Sequence, residues 1–208
     1  MENKYELTDK FIINAYGVKL YQIKCTRKLK YADVGDLGGY IEKESNLSQV
    51  DDAWVDGDAM VYGNAEVYGD AWVYGNARVG GDAWVYGDAE VYGDAWVYGD
   101  AWVYGNARVG GDARVYGNAR VDGDARVYGN AEIDSNDKHC GFDCFGSANR
   151  HTHAYLTKNG NVEITCGCFR GSIEEFEKKV EETHSGTIYE TQYKAIVNLI
   201  KIKFGIEQ

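Results

Sequence analysis

Alanine recurs at every sixth position from Ala53 to Ala131, fourteen times without a miss. An aliphatic residue stands two places after each one, Val55 through Val127 and finally Ile133, and the residue before each is Asp or Asn. The unit therefore reads Ala-x-Val-Tyr-Gly-Asp/Asn. In an extended segment side chains alternate between faces, so Ala and Val point one way while x and Tyr point the other. Only the first pair suits a core. Gly followed by Asp or Asn is turn chemistry, because Gly tolerates positive φ and the short polar side chain bonds nearby backbone. Each hexad is one short strand and one corner.

Three such sides close a triangular coil of eighteen residues, and stacked coils pair their backbones about 4.8 Å apart. Fourteen hexads give about four and a half coils, and Ile41 and Leu47 continue the same phase upstream. The solenoid is therefore expected to begin near residue 41, to run to 134 and to reach five coils, with ladders of Val and of Ala inside. The unit resembles the hexapeptide-repeat family of left-handed β-helices, in which an aliphatic residue is followed four positions later by a small one. Val55 to Ala59 and Val61 to Ala65 have that spacing. The resemblance implies an all-β solenoid of left hand, with three six-residue sides per coil. Repeats of nine residues, as in calcium-binding β-rolls, or of five do not fit the period.

Many hexapeptide-repeat proteins are acyltransferases, which place a general-base His on a coil or an extruded loop. Residues 53–134 contain no His, Ser or Thr and no inserted loop. The same absence removes a carbonic-anhydrase site with three His ligands and the Thr arrays of ice-binding helices. Five of the fourteen Asp/Asn positions are uncharged Asn, which fits local hydrogen bonding better than calcium. The solenoid is read as a rigid, non-catalytic surface.

Counting modulo eighteen assigns the outward residues to sides. One side carries Glu66, Trp84, Trp102 and Arg120 beside Tyr68, Tyr86, Tyr104 and Asp122. A second has Trp54, Trp72, Glu90, Arg108 and Arg126 beside Tyr74, Tyr92 and Tyr128; the third has Met60, Arg78, Trp96 and Arg114 beside Tyr62, Tyr98 and Tyr116. Exposed aromatic area on this scale marks a contact surface. The expected occupant is another copy of the chain, in a homo-oligomer with a trimer favoured; a host protein is the next candidate. A third is a planar, nucleotide-like molecule stacked on Trp or Tyr, with Arg108, Arg114 and Arg120, one full turn of the solenoid, supplying phosphate contacts. Arg126 follows them, and an acidic helix of the next domain is expected to dock on this positive end.

Net charge is −11 and no basic block occurs, so duplex nucleic acid is not an expected partner. MENKYELTDK has neither a basic nor an apolar signal region, and no apolar run approaches the roughly 18 residues of a membrane helix, which leads to an expected cytoplasmic location without membrane attachment. The odd number of cysteines, five, points to thiols or metal ligands rather than a disulfide framework.

Solenoid ends expose strand edges and need caps. Residues 1–40 are read as the N-terminal cap, with a hairpin over 11–25 around Tyr16-Gly17. Residues 135–208 are read as a small α+β domain. Strands 153–157 and 162–166 flank Asn159-Gly160, a two-residue hairpin signal. Ser172 and Glu175 make a capping box for a first helix, and a second runs from about Tyr189 to Phe204, with Tyr193, Ile196, Val197 and Ile200 inward. Cys140, Cys144, Cys166 and Cys168, with His139, His151 and His153 nearby, form a candidate zinc set spaced CxxxC and CxC. Cys166 with His153 or His184 is a candidate nucleophile pair without a visible orienting group.

GDLGGYIEKESNLSQ before the repeats and CGCFRGSIEEFEKKVEETH after them also resemble small hexapeptide-repeat proteins of bacteriophages and prophages. That resemblance implies an accessory viral role. Three functional expectations follow: a non-enzymatic binding or scaffold protein, an anti-defence protein that sequesters a nucleotide signal, and an acyltransferase using His139, His151 or His153 with acetyl-CoA.

Overall fold

A computed structural model describes residues 3–206. Each hexad forms one two-residue strand, fourteen in all, from β4 (Trp54–Val55) to β17 (Glu132–Ile133). Every strand pairs in parallel with the one eighteen residues along: Val67 with Val85, and Val85 with Val103. The chain is thus a three-sided parallel β-solenoid of about five turns. Backbone bonds such as Trp84 N to Ala101 O (2.9 Å) and Asp82 N to Gly99 O (2.9 Å) join coils along strands and corners alike. The Ala and Val of each hexad are at most 2 % exposed and make one continuous core.

Ile41 and Leu47 do carry the phase upstream, since Ile41 pairs with Val61 and Leu47 bridges to Val67 in the coil above. The N-terminal region is larger than the expected hairpin. β1 (Tyr5–Ile13), β2 (Lys19–Cys25) and β3 (Leu37–Ile41) are antiparallel neighbours, and β3 then pairs in parallel with β5 (Met60–Val61). One sheet of eight strands therefore runs from the cap into a side of the solenoid. Gly38 permits this: a Cβ there would lie 2.5 Å from the Val55 carbonyl oxygen. The first coil is closed by Lys4, fully buried, whose Nζ donates to Ala53 O (2.6 Å), Asp51 O (3.2 Å) and Asp51 Oδ1 (3.1 Å). Tyr5 Oη donates to Leu47 O at 2.9 Å.

The C-terminal domain is a four-stranded antiparallel sheet in chain order, β18 (His139–Phe145), β19 (Arg150–Leu156), β20 (Val162–Cys166) and β21 (Phe169–Ser172), followed by α1 (Ile173–His184) and α2 (Ile188–Phe204). β18 and β21 add to the two expected strands. The β19–β20 connection spans residues 157–161, is closed by Thr157 N donating to Asn161 O (2.9 Å), and bridges to the solenoid where Thr157 pairs with Ala131. Ser172 and Glu175 form the expected capping box, with Glu175 N donating to Ser172 Oγ (3.2 Å) and Ser172 N to Glu175 Oε2 (2.8 Å). Among the described residues no helix is long and apolar enough to cross a membrane.

Strand alternation divides this sheet's work. Ala154, Ile164 and Cys166 pack under Phe176, Val180, Tyr193, Ile196 and Ile200 of the helices. Tyr155, His153 and Thr165 face the other way and close the last coil. Tyr155 is fully buried in the solenoid's own core, Thr165 Oγ1 donates to Arg126 O (3.0 Å), and Lys158 N donates to Asn130 O (2.9 Å). The acidic helix α1 thus lies across the sheet from the positive end it was expected to cover. Paired backbone is what a solenoid end lacks, and a sheet edge and face supply it where a helix cannot.

Candidate functional site

Because stacked strands are in register, identical residues eighteen apart lie one coil apart, and aromatic columns follow. On one side Glu66, Trp84, Trp102 and Arg120 form successive rungs. Trp84 and Trp102 stack with ring centroids 5.1 Å apart and 7° between planes. Beside them Tyr68, Tyr86 and Tyr104 stack at 4.8 and 5.0 Å, within 3° of parallel. The two columns meet edge to face, Tyr68 on Trp84 at 77° and Tyr86 on Trp102 at 72°. Each such pair contributes about 0.5–1.5 kcal/mol beyond its buried area, so the side is stiff as well as flat. The Arg120 guanidinium covers the Trp102 ring at 4.6 Å, and Tyr104 Oη donates to Asp122 at 2.8 Å.

The other two sides are used internally. On the second, Trp54 is buried, and Trp72 is held between Tyr31 of the N-terminal region (4.6 Å) and Tyr74 (4.0 Å), while Lys30 reaches Asp88 at 3.0 Å. On the third, Tyr16 of the N-terminal hairpin approaches Tyr62 (6.2 Å), and Trp96 lies between the guanidinium groups of Arg78 (4.7 Å) and Arg114 (5.6 Å). Where the tyrosine column on that side is interrupted at Gly80, Tyr62 leans into the gap, 2.7 Å from where a Cβ would sit. Among the described residues, by contrast, every ring–ring contact of Trp84, Trp102, Tyr68, Tyr86 and Tyr104 is with one another, and none comes from the N-terminal region.

The expected ring of arginines does not converge on one spot. Arg114 and Arg120 lie over tryptophans of different sides, Arg108 pairs with Glu90 (3.0 Å), and Arg126 donates to Gly167 O (2.6 Å). Side chains on consecutive hexads point outward about 120° apart, which separates them.

The cysteines do not converge either. Cys140 and Cys166 lie on the helix side of the sheet, whereas Cys144, at positive φ where the register of β18 breaks, and Cys168, in the turn after β20, are exposed. A turn at Gly167 ends β20 between Cys166 and Cys168. Among the described residues no group of three or more His, Cys, Asp or Glu is placed to hold a metal ion. Burial pushes the Cys140 thiol up to about 11. Cys166 Sγ accepts from Thr152 Oγ1 at 3.3 Å and contacts Tyr193 Oη at 3.8 Å. His153 is on the opposite face of the sheet, and His184 stacks on Tyr193 (5.5 Å), so neither expected nucleophile pair is in contact.

The histidines instead gather beneath the last coil. His153, fully buried, has Nε2 3.0 Å from His139 Nδ1, and the His151 ring lies 5.7 Å from it. Burial holds His153 well below the usual imidazole range, with His139 and His151 adding to the effect. Burial likewise lowers His139 to about 4. Asp143 Oδ1 meets His151 Nδ1 at 2.5 Å. His139 and His153, held neutral by burial, are part of the seam between domain and solenoid.

A family model described as YdcK beta solenoid repeat matches residues 71–87 and 113–129. Both segments lie within the hexads, and with the fold they place the chain among β-solenoid repeat proteins. No curated protein matches the chain.

Proposed function

We propose that this chain is a non-enzymatic scaffold or binding protein that assembles with further copies of itself through the Trp84–Trp102 side. The observation that carries the reading is the contrast between sides: Tyr31 and Tyr16 of the N-terminal region reach the aromatic columns of the other two, while on this side the rings among the described residues pack only on one another and on the solenoid's own Arg120. A flat, rigid aromatic face loses little side-chain entropy on association, which favours its use as an interface. Absence of His, Ser and Thr from the hexads and burial of His139 and His153 in the seam support a role without catalysis. A homo-oligomer, with three copies as the expected count, working in the cytoplasm of a bacterial host as an accessory phage or prophage protein, is the full form of the proposal.

The test is the double variant Trp84→Glu/Trp102→Glu, with Trp84→Thr/Trp102→Thr as a second version free of added charge. Sedimentation velocity should show a shift from oligomer to monomer in both, with the far-UV circular dichroism retained. An unchanged sedimentation coefficient in folded variants refutes the proposal.

A further inference from the structure

Where the C-terminal sheet meets the solenoid, a cavity of about 340 Å³ opens between the last coils and the start of β19, and Arg108, Arg126, Arg150 and His151 contribute to its walls. We infer that this cavity is a binding site for a phosphate-bearing anion, held by Arg108 and Arg126 from the solenoid and Arg150 from the C-terminal domain. The inference does not rest on the role of the aromatic side.

Three observations point the same way. First, Arg108 and Arg126 are direct partners on adjacent rungs, and like charges placed opposite one another across strands are destabilising unless something negative lies between or beside them. Glu90 answers Arg108 from the rung on its far side, at 3.0 Å. Arg126 and Arg150 form no ion pair among the described residues. Second, both of those guanidinium groups are drawn to one turn. Arg126 Nη1 donates to Gly167 O at 2.6 Å, and a Cβ on Gly167 would lie 2.7 Å from Arg150 Nη1. The Gly167 carbonyl holds the Arg126 fork without consuming its charge, and Arg150 lies against the same glycine. Third, the concentration runs against the chain's net charge of −11. One carboxylate, Asp124, lines the cavity, and its Oδ1 already accepts from Asn106 Nδ2 at 2.9 Å; Asp143 is engaged by His151.

Three guanidinium groups approaching from three strands suit a ligand with oxygens in several directions. A planar carboxylate is satisfied by one fork, whereas a phosphate or diphosphate offers acceptors to all three. The volume admits such a group together with part of what it is esterified to. Because Arg150 belongs to one domain and Arg108 and Arg126 to the other, a bound anion would also tie the domain to the solenoid, and ligand should raise the melting temperature.

Inorganic phosphate, pyrophosphate and ADP are titrated into the full chain at fixed ionic strength, following heat and melting temperature. Saturable binding of pyrophosphate with a raised melting temperature is expected, weakened about tenfold in Arg150→Gln, which removes one charge-assisted contact. Arg150 is exposed and makes no side-chain hydrogen bond in the described structure, so that variant keeps the fold; Arg108→Gln should weaken binding similarly. ADP binding more tightly than pyrophosphate identifies a phosphate ester as the ligand class, and the reverse order identifies a free phosphate or diphosphate. Absence of saturable binding to all three, or binding unchanged in Arg150→Gln and Arg108→Gln, overturns the inference.

Discussion

Replacing Gly87 by Ala should destabilise the solenoid by about 2–5 kcal/mol, whereas the same change at Gly123 should cost only about 1–2 kcal/mol. Both residues have left-handed backbone, φ +73° and +59°. Each variant therefore carries the same penalty for placing a Cβ there, about 1–2 kcal/mol, and the same offsetting loss of freedom in the unfolded chain. The neighbours differ. A Cβ on Gly87 would meet both N and O of Gly105 in the next coil at 3.0 Å, and backbone cannot swing away as a side chain can. Nothing lies within 4 Å of a Cβ on Gly123, where no corresponding corner stacks above. Forcing coils apart at one corner strains the rungs on both adjoining sides and adds about 1–3 kcal/mol. Urea unfolding followed by circular dichroism, with m-values compared to ensure the same transition, measures the difference. Equal destabilisation at the two sites would refute the claim that close corner stacking, rather than turn geometry alone, requires Gly at the corners from Gly57 to Gly111, each of which has another coil's glycine against it.

Two further outcomes are expected. His139 and His153 are held neutral by burial, so the unfolded chain binds more protons than the folded one below about pH 6.5, and stability falls as pH drops from there toward the folded value, about 4 for His139. Between pH 7.5 and 5.0 the loss from His139 alone should be on the order of 2 kcal/mol, read by urea titration, and a flat profile would contradict burial of these rings in the seam. Lys4→Met should cost about 3–5 kcal/mol, because it strands Asp51 and the Ala53 carbonyl at the closed first coil; a change below about 1 kcal/mol in thermal or urea unfolding would show that Lys4 is not the plug.

The solenoid was legible because its period admits one solution. Ala and Val two apart can share an interior only in extended segments, and Gly-Asp/Asn every six residues forces a corner after each. Even Ile41 and Leu47 could be placed by phase alone. β3 was not, since Leu37-Gly-Gly-Tyr-Ile looks like a turn and its glycines serve close approach to Val55 instead. β18 hid for a related reason: HCGFDCF has neither a clear apolar alternation nor a strong turn residue at its ends. The aromatic columns, too, could be counted out modulo eighteen. Which columns the N-terminal region reaches could not, because Tyr16 and Tyr31 come from non-repeating segments whose paths no periodicity describes. The arginine-lined cavity was invisible for the same cause. Arg126 stands in the repeat, but Arg150 comes from the next domain, and only the docking of its sheet on the last coil brings them to one turn.

The central claim is that the Trp84–Trp102 side is an assembly surface, and native mass spectrometry of the unaltered protein tests it most directly. At micromolar concentration the account predicts a discrete oligomer, three chains in its full form, that is absent from spectra of the Trp84→Glu/Trp102→Glu variant. A spectrum containing only the single chain at every concentration examined would contradict it.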